Sequence, residues 1–245
     1  MAVQLVLWGH SDEQYFPKPV KQLVWFLYQY PVFWAPVFHY LRGTKPDDDP
    51  PRRAWRLERA IKIFHRAREM PTQAKQQLRD LLEAVYTVKR KGKDPRGLIV
   101  EYIVWSAKAF APDPGTAACK RMKCDVRIKD GNTSRRLVDS DANFDAAWLS
   151  ASHFFGAECK VSVKNFTIGR QGITDRALRK YTFMSETHRR LTALGRSSRI
   201  CVVGCDADID LVRAAINSAG FQVLEVLGAD QLEALLTQDA GTCHR

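Results

Sequence analysis

The sequence from Asp145 to Lys160, DAAWLSASHFFGAECK, predicts a β-hairpin. The apolar run 144–149 is typical of a short strand and carries Asp145 near its start. Small and polar residues at 150–153 favour a turn. A second strand is expected over residues 154–163. The first carboxylate and a Glu-x-Lys triplet, separated by twelve residues, therefore lie on neighbouring strands.

Alternation along the second strand assigns its polar side chains to one face. Successive side chains of a strand point to opposite sides of the sheet. The polar side chains that share a face are Glu158, Lys160, Ser162 and Lys164. The alternate positions, beginning with Cys159, are apolar and would pack against a core. Two acids and a lysine therefore converge on one side of the sheet.

This grouping of side chains predicts a site for a hard divalent cation. Mg²⁺ takes one or two carboxylates and keeps several waters, so Asp145 and Glu158 are candidate ligands, with the carbonyl of Cys159 beside them. Mn²⁺ is the alternative ion. Lys160 would orient a metal-activated water or offset charge on a pentavalent phosphate. The simpler interpretation is a surface hairpin whose Glu and Lys form a weak ion pair.

The order of these residues resembles that of the PD-(D/E)XK nuclease superfamily. In that superfamily an acid on one strand and a (D/E)-x-K triplet on the next build a metal site, often joined by an acid on the preceding helix. Glu101 occupies that last place here. The resemblance covers roughly residues 96–236 and departs from the family pattern at Phe144, which stands where the family has a proline.

The resemblance implies a fold class and an activity. The fold would be α/β, a restriction-endonuclease-like mixed central sheet flanked by helices, after an N-terminal aromatic and helical extension. The division expected is an aromatic region at 1–45, a linker and basic helical pair at 46–95, and a nuclease-like core at 96–245. The activity implied is Mg²⁺-dependent endodeoxyribonuclease activity, with Glu101, Asp145, Glu158 and Lys160 as catalytic residues.

Glu101 lies within a helix expected over residues 97–110, which is apolar on most sides. A buried carboxylate without a partner is costly, so this glutamate needs either a metal site or a neighbouring base. The first alternative makes Glu101 a site residue, and the second makes it half of an ion pair.

The charge of the chain favours a polyanionic partner. With 38 Lys and Arg against 27 Asp and Glu, the net charge is +11, which favours nucleic acid first and an anionic membrane surface second, although basic charge alone does not establish binding. The resemblance favours DNA over RNA. The candidate phosphate-binding side chains are Lys93, Arg96, Lys164 and Arg170. The alternative for the basic helices is an ordinary solvated surface.

Residues 17–41 are unusually aromatic, but Pro31 and Pro36 would break a long helix near its middle. A membrane span is therefore not expected. The two remaining interpretations are a buried helical hairpin and an exposed aromatic surface that binds a protein partner or a second copy of the chain.

The rest of the core is expected to alternate strands and helices. Strands are predicted at 121–129, 134–138, 199–204 and 221–227, the last two parallel and joined by a helix. Thr174 would cap a helix that ends at Gly195, with Lys180 on its outer, basic side. Asp139 and Asp141 are nearby alternatives to Asp145.

Six cysteines lack the spacing of a zinc knuckle and are expected to be reduced thiols of a cytoplasmic protein. The alternative to an enzyme is a non-catalytic module that binds nucleic acid or protein on a nuclease-like fold, with membrane association through residues 17–41 as a further variant.

Overall fold

The computed structural model describes residues 4–11, 15–88, 93–110 and 123–242, and has an α/β fold. The strands are β1 Leu5–Ser11, β2 Lys123–Asp130, β3 Phe144–Leu149, β4 His153–Lys160, β5 Ile168–Gly169, β6 Gly172–Ile173, β7 Ser197–Gly204 and β8 Leu224–Leu227. The helices are α1 Lys18–Gln29, α2 Trp34–Gly43, α3 Pro50–Ile63, α4 His65–Arg68, α5 Thr72–Tyr86, α6 Pro95–Ser106, α7 Val163–Thr167, α8 Asp175–Ala193, α9 Asp210–Ser218 and α10 Ala229–Thr242.

A mixed six-stranded sheet has the order β1-β2-β3-β4-β7-β8. Strands β1 to β4 are antiparallel neighbours, whereas β4, β7 and β8 pair in parallel. The parallel pairing of β7 with β8 around α9 confirms the predicted strand–helix–strand unit. Strand β4 is the junction of the two halves and is buried on both faces.

Helices cover both faces of this sheet. On one face α1, α2, α5, α6 and α10 form a core with Phe155, Ala157 and Cys159 of β4. On the other face α8 and α9 pack against Phe154 and the neighbouring strands. The alternation predicted for β4 is therefore confirmed, because odd-numbered side chains enter the first layer and even-numbered ones face the second.

The aromatic N-terminal segment is a buried pair of helices. Trp34, Phe38 and Tyr40 are fully or almost fully buried, and Pro31 begins the short 3-10 turn Pro31–Phe33 that separates α1 from α2. Trp25 is the exception, with 65% of its surface exposed. None of the helices in the described part of the chain is both long and apolar enough to cross a membrane.

Predicted and observed strands differ in several places, and β8 begins at Leu224 rather than at residue 221. The strand expected at 134–138 is wrong, since only an isolated bridge between Lys129 and Arg136 forms there. Asp130 accepts hydrogen bonds from Asn132 N and Thr133 Oγ1, and Ser134 has a φ of 56°, so this segment turns tightly.

Strand β4 ends at Lys160 rather than at residue 163. The Ser162 side chain accepts a hydrogen bond from Asn165 N at 3.1 Å and thereby begins α7. Lys164 consequently lies on a helix and not on the strand face that carries Glu158.

Four of the six cysteines lie in the described residues, as buried free thiols: Cys124, Cys159, Cys201 and Cys205. Burial, as the largest cause, raises the pKa of all four. Cys119 and Cys243 lie outside the described residues.

Candidate functional site

The start of β3 and the end of β4 meet at one end of the sheet because the two strands are antiparallel. Their register pairs Ala146 with Ala157, which places Asp145 beside Glu158. Helix α6 approaches the same end with Glu101. The structure therefore brings the four residues predicted to be catalytic, Glu101, Asp145, Glu158 and Lys160, into one cavity of about 770 Å³.

Asp145 is buried, and one of its carboxylate oxygens accepts two hydrogen bonds. Its Oδ2 accepts hydrogen bonds from Cys159 N at 2.8 Å and from Lys160 Nζ at 3.2 Å. Burial would raise the pKa of Asp145, but the charges of Lys160 and Lys180 outweigh it and hold the pKa below its usual range. Asp145 is thus a buried carboxylate that favours its ionised form.

Lys160 lies among the oxygens that the sequence suggests as metal ligands. Its Nζ donates to Asp145 Oδ2 and to the carbonyl of Cys159 at 2.9 Å, and it forms an ion pair with Glu158 Oε1. Burial acts to lower the pKa of Lys160, but the two carboxylates raise it. The ammonium therefore remains charged and neutralises part of the acidic cluster.

Lys180 of α8 is a site residue that the sequence interpretation missed. The side chain predicted to face outward is only 11% exposed, and its Nζ lies 2.5 Å from Glu158 Oε2 in an ion pair. The same Nζ donates to the carbonyl of Asn143. The prediction was wrong because a lysine in an otherwise basic helix was assigned to solvent by composition, whereas a buried carboxylate attracts it inward.

Glu158 is bounded by two lysines and a neighbouring acid. Burial and the charge of Asp145 raise the pKa of Glu158, against the opposing effect of Lys180 and Lys160. Each of its two carboxylate oxygens lies against one ammonium group. The carboxylate is therefore held in a fixed orientation toward the cavity.

Glu101 is held from the opposite side of the cavity. It accepts a hydrogen bond from Tyr15 Oη at 3.2 Å and forms an ion pair with Lys93 at 3.2 Å. Burial, followed by the charge of Asp145, raises the pKa of Glu101 to about 7, against the effect of Lys93. Glu101 therefore forms the ion pair that was the alternative to a metal-site role, and it also lines the cavity, so its catalytic role stays a prediction. No sequence pattern indicated Tyr15, which is 86 residues away.

The four side chains predicted to bind phosphates lie in different settings. Lys93 and Arg96 line the cavity, but Lys93 is paired with Glu101 and Arg96 with Asp94. Arg96 also donates to the carbonyls of Leu41 and Thr44, which anchors α6 to the end of α2.

Lys164 and Arg170 are not among the described residues that line the cavity. Lys164 lies on α7, and Arg170 lies in the turn between β5 and β6. Their nucleic-acid contacts stay a prediction. Of the alternatives to Asp145, Asp141 is an exposed partner of Arg136 at 2.8 Å.

The donor set determines which metal ion the site suits. Within residues 4–11, 15–88, 93–110 and 123–242, no group of three or more His, Cys, Asp or Glu side chains has the arrangement of a metal site. Asp145, Glu158 and the Cys159 carbonyl supply hard oxygen donors, with no imidazole or thiolate. Oxygen donors of this kind are those that Mg²⁺ and Mn²⁺ prefer, whereas Zn²⁺ prefers imidazole and thiolate. In this structure the Lys160 ammonium contacts an oxygen of each of the three residues.

Neither protein-family models nor curated protein sequences give a match to this chain. The likeness to the PD-(D/E)XK superfamily depends on the site residues and their order alone.

Proposed function

We propose that the protein is a Mg²⁺-dependent endonuclease that hydrolyses phosphodiester bonds in DNA, on a restriction-endonuclease-like fold. The observation that carries this proposal is the convergence of Asp145, Glu158 and Lys160 with Glu101 in one cavity. The order of elements supports it, since a helix with an acid precedes three antiparallel strands and a parallel pair.

Asp145 and Glu158 would hold the ion, with the Cys159 carbonyl as a further donor. The ion, when bound, polarises a phosphoryl oxygen and lowers the pKa of its water. Lys160 would leave its carboxylate partners to orient the attacking water or to offset charge on the phosphate. Glu101, with a pKa of about 7, is suited to accept a proton near neutral pH.

The cavity charge supports a polyanionic substrate. Its lining residues include seven Lys and Arg but five Asp and Glu, an excess of two positive charges. The net charge of the whole chain, +11, adds long-range attraction for a nucleic-acid strand. The choice of DNA over RNA follows from the resemblance, and an RNA substrate belongs in the same test.

The decisive experiment compares wild type with Lys160→Ala on supercoiled DNA, linear DNA and RNA, each with Mg²⁺ and with EDTA. We expect Mg²⁺-dependent cleavage that falls by about 10²-fold or more in the variant, the scale of losing one charge-stabilising group. Lys18→Ala removes an equal charge from an exposed position on α1 and serves as the control. Equal cutting by Lys160→Ala, or no cutting by wild type, contradicts the proposal.

A second candidate function is a binding module without catalysis. The observation that favours it is that the three site carboxylates already form ion pairs with Lys93, Lys160 and Lys180, which neutralise their charge without a metal ion. Calorimetric titration with Mg²⁺ and Mn²⁺ separates the two functions. Heat of binding that disappears in Asp145→Asn supports the nuclease, whereas nucleic-acid binding with no metal binding supports the module.

A further inference from the structure

Helix α8 presents a row of cations to the cavity. Arg176, Arg179 and Lys180 all line it, at spacings of three and four residues that place side chains on one helix face. Lys180 is the innermost and is bound to Glu158. The two arginines are exposed; Arg176 lies one turn closer to the start of the helix than Lys180, and Arg179 directly precedes Lys180.

The two arginines differ from others on the same helix. Arg189 and Arg190 both contact Glu186 at 2.7 Å, so these two charges share one carboxylate within α8. By contrast, no carboxylate in the described part of the chain forms an ion pair with Arg176 or Arg179. Their guanidinium groups therefore carry uncompensated charge at the edge of the cavity.

Phe166 connects this edge to the centre of the site. The Lys160 Nζ lies 5.2 Å from the centroid of the Phe166 ring, and the Arg176 Cζ lies 5.5 Å from the same centroid. One aromatic ring thus contacts both cations. A strand whose phosphate reached Lys160 would have its next phosphates near Arg176.

We propose that Arg176 and Arg179 form a clamp for the phosphates that flank the scissile one. A guanidinium group presents a planar fork of donors that matches two phosphate oxygens, which an ammonium group does not. The substrate class is therefore a polynucleotide strand with phosphates beyond the reacting one, not a lone phosphate ester. This inference rests on the proposed function for the position of the scissile phosphate.

The test is binding of a fluorescein-labelled DNA duplex, and of the same strand alone, measured by anisotropy in EDTA over a range of salt concentrations. The variant is Arg176→Ala/Arg179→Ala. The matched control, Arg189→Ala/Arg190→Ala, removes the same two charges from the same helix. We expect the Kd to rise about tenfold or more in the clamp variant and the slope of log K against log salt to shrink by about 2.

The control should keep its Kd within about twofold and its full salt slope. A second variant, Arg176→Lys/Arg179→Lys, should retain the slope but bind more weakly, because it keeps charge and loses the fork. Unfolding midpoints of all variants verify the fold. Equal losses in the clamp variant and the control, or no binding by wild type, overturn the clamp.

Cleavage by wild type with Mg²⁺, run in parallel, separates this inference from the proposed function. Cleavage with unchanged binding by the clamp variant overturns the clamp and leaves the nuclease function standing. Arginine-dependent binding without cleavage overturns the nuclease function and supports the clamp as part of a binding module.

Discussion

Glu101 lies in an unfavourable electrostatic setting for a charged carboxylate. It is buried on α6 near Asp145, and one ammonium group, Lys93, lies against it together with Tyr15. Burial and the neighbouring negative charge raise its pKa from 4.5 to about 7. The folded protein therefore keeps the Glu101 carboxyl protonated over a pH range in which the unfolded chain has lost that proton.

This setting predicts a pH dependence of stability that Glu101→Gln removes. Between about pH 4.5 and 7 the Glu101 carboxyl is deprotonated in the unfolded chain but still protonated in the folded protein, so rising pH favours unfolding. Above about pH 7 it is deprotonated in both states, and the loss of stability is complete. Each pKa unit corresponds to about 1.4 kcal/mol, so wild type should lose on the order of 3 kcal/mol relative to the variant.

Urea unfolding of both proteins across this pH range measures the difference. A gap between wild type and Glu101→Gln that stays constant with pH would contradict the pKa assigned to Glu101. Asp47→Asn, which removes an exposed acid before α3, is a control for general charge effects.

At the scale of the elements, β4 has little room for larger side chains because helices pack on both of its faces. A Cβ added to Gly156 would lie 2.7 Å from Phe144 Cδ1 and 2.8 Å from Phe154 Cε1, inside van der Waals contact. Gly156→Ala should therefore destabilise the fold by about 1–3 kcal/mol, the cost of overpacking a core. Because Phe144 precedes Asp145, the displaced ring should also disturb the site.

Gly43→Ala is the matched control for this prediction. A Cβ there meets only Arg56 Nη1, at 3.9 Å, and helix α2 ends at this residue. Chemical denaturation should show no loss of stability in Gly43→Ala. A free energy of unfolding of Gly156→Ala equal to that of wild type would show that the two phenylalanine rings adapt at no cost.

Local patterns predicted β3, the turn and the site face of β4. Alternation and turn residues act over neighbouring positions, which is why Asp145, Glu158 and Lys160 were identified together. The end of β4 was not predictable from alternation, because the side-chain cap at Ser162 overrides the strand pattern. Lys180 and Tyr15 depend on contacts between distant elements, and no sequence period encodes such contacts.

At the scale of the whole molecule, the N-terminal aromatic segment shares one core with the rest of the chain. Strand β1 pairs with β2 in the six-stranded sheet, and α1 packs against α5, α6 and α10. Composition alone indicated that residues 17–41 were apolar. Whether this segment is a buried helical hairpin or an exposed aromatic surface depends on elements far along the chain that cover it. The structure confirms the buried helical hairpin.

Alkylation of the four buried thiols can report when the native fold opens. Alkylating agents attack thiolates, and burial both raises the pKa and blocks access. Iodoacetamide at about pH 8 should therefore spare Cys124, Cys159, Cys201 and Cys205 until the fold opens, when peptide mass spectrometry finds all four modified. Cys124 and Cys159 lie on β2 and β4, Cys201 lies on β7, and Cys205 directly follows β7. The four thiols should react together if the sheet opens as one cooperative unit, and at separate rates if its antiparallel and parallel halves come apart independently.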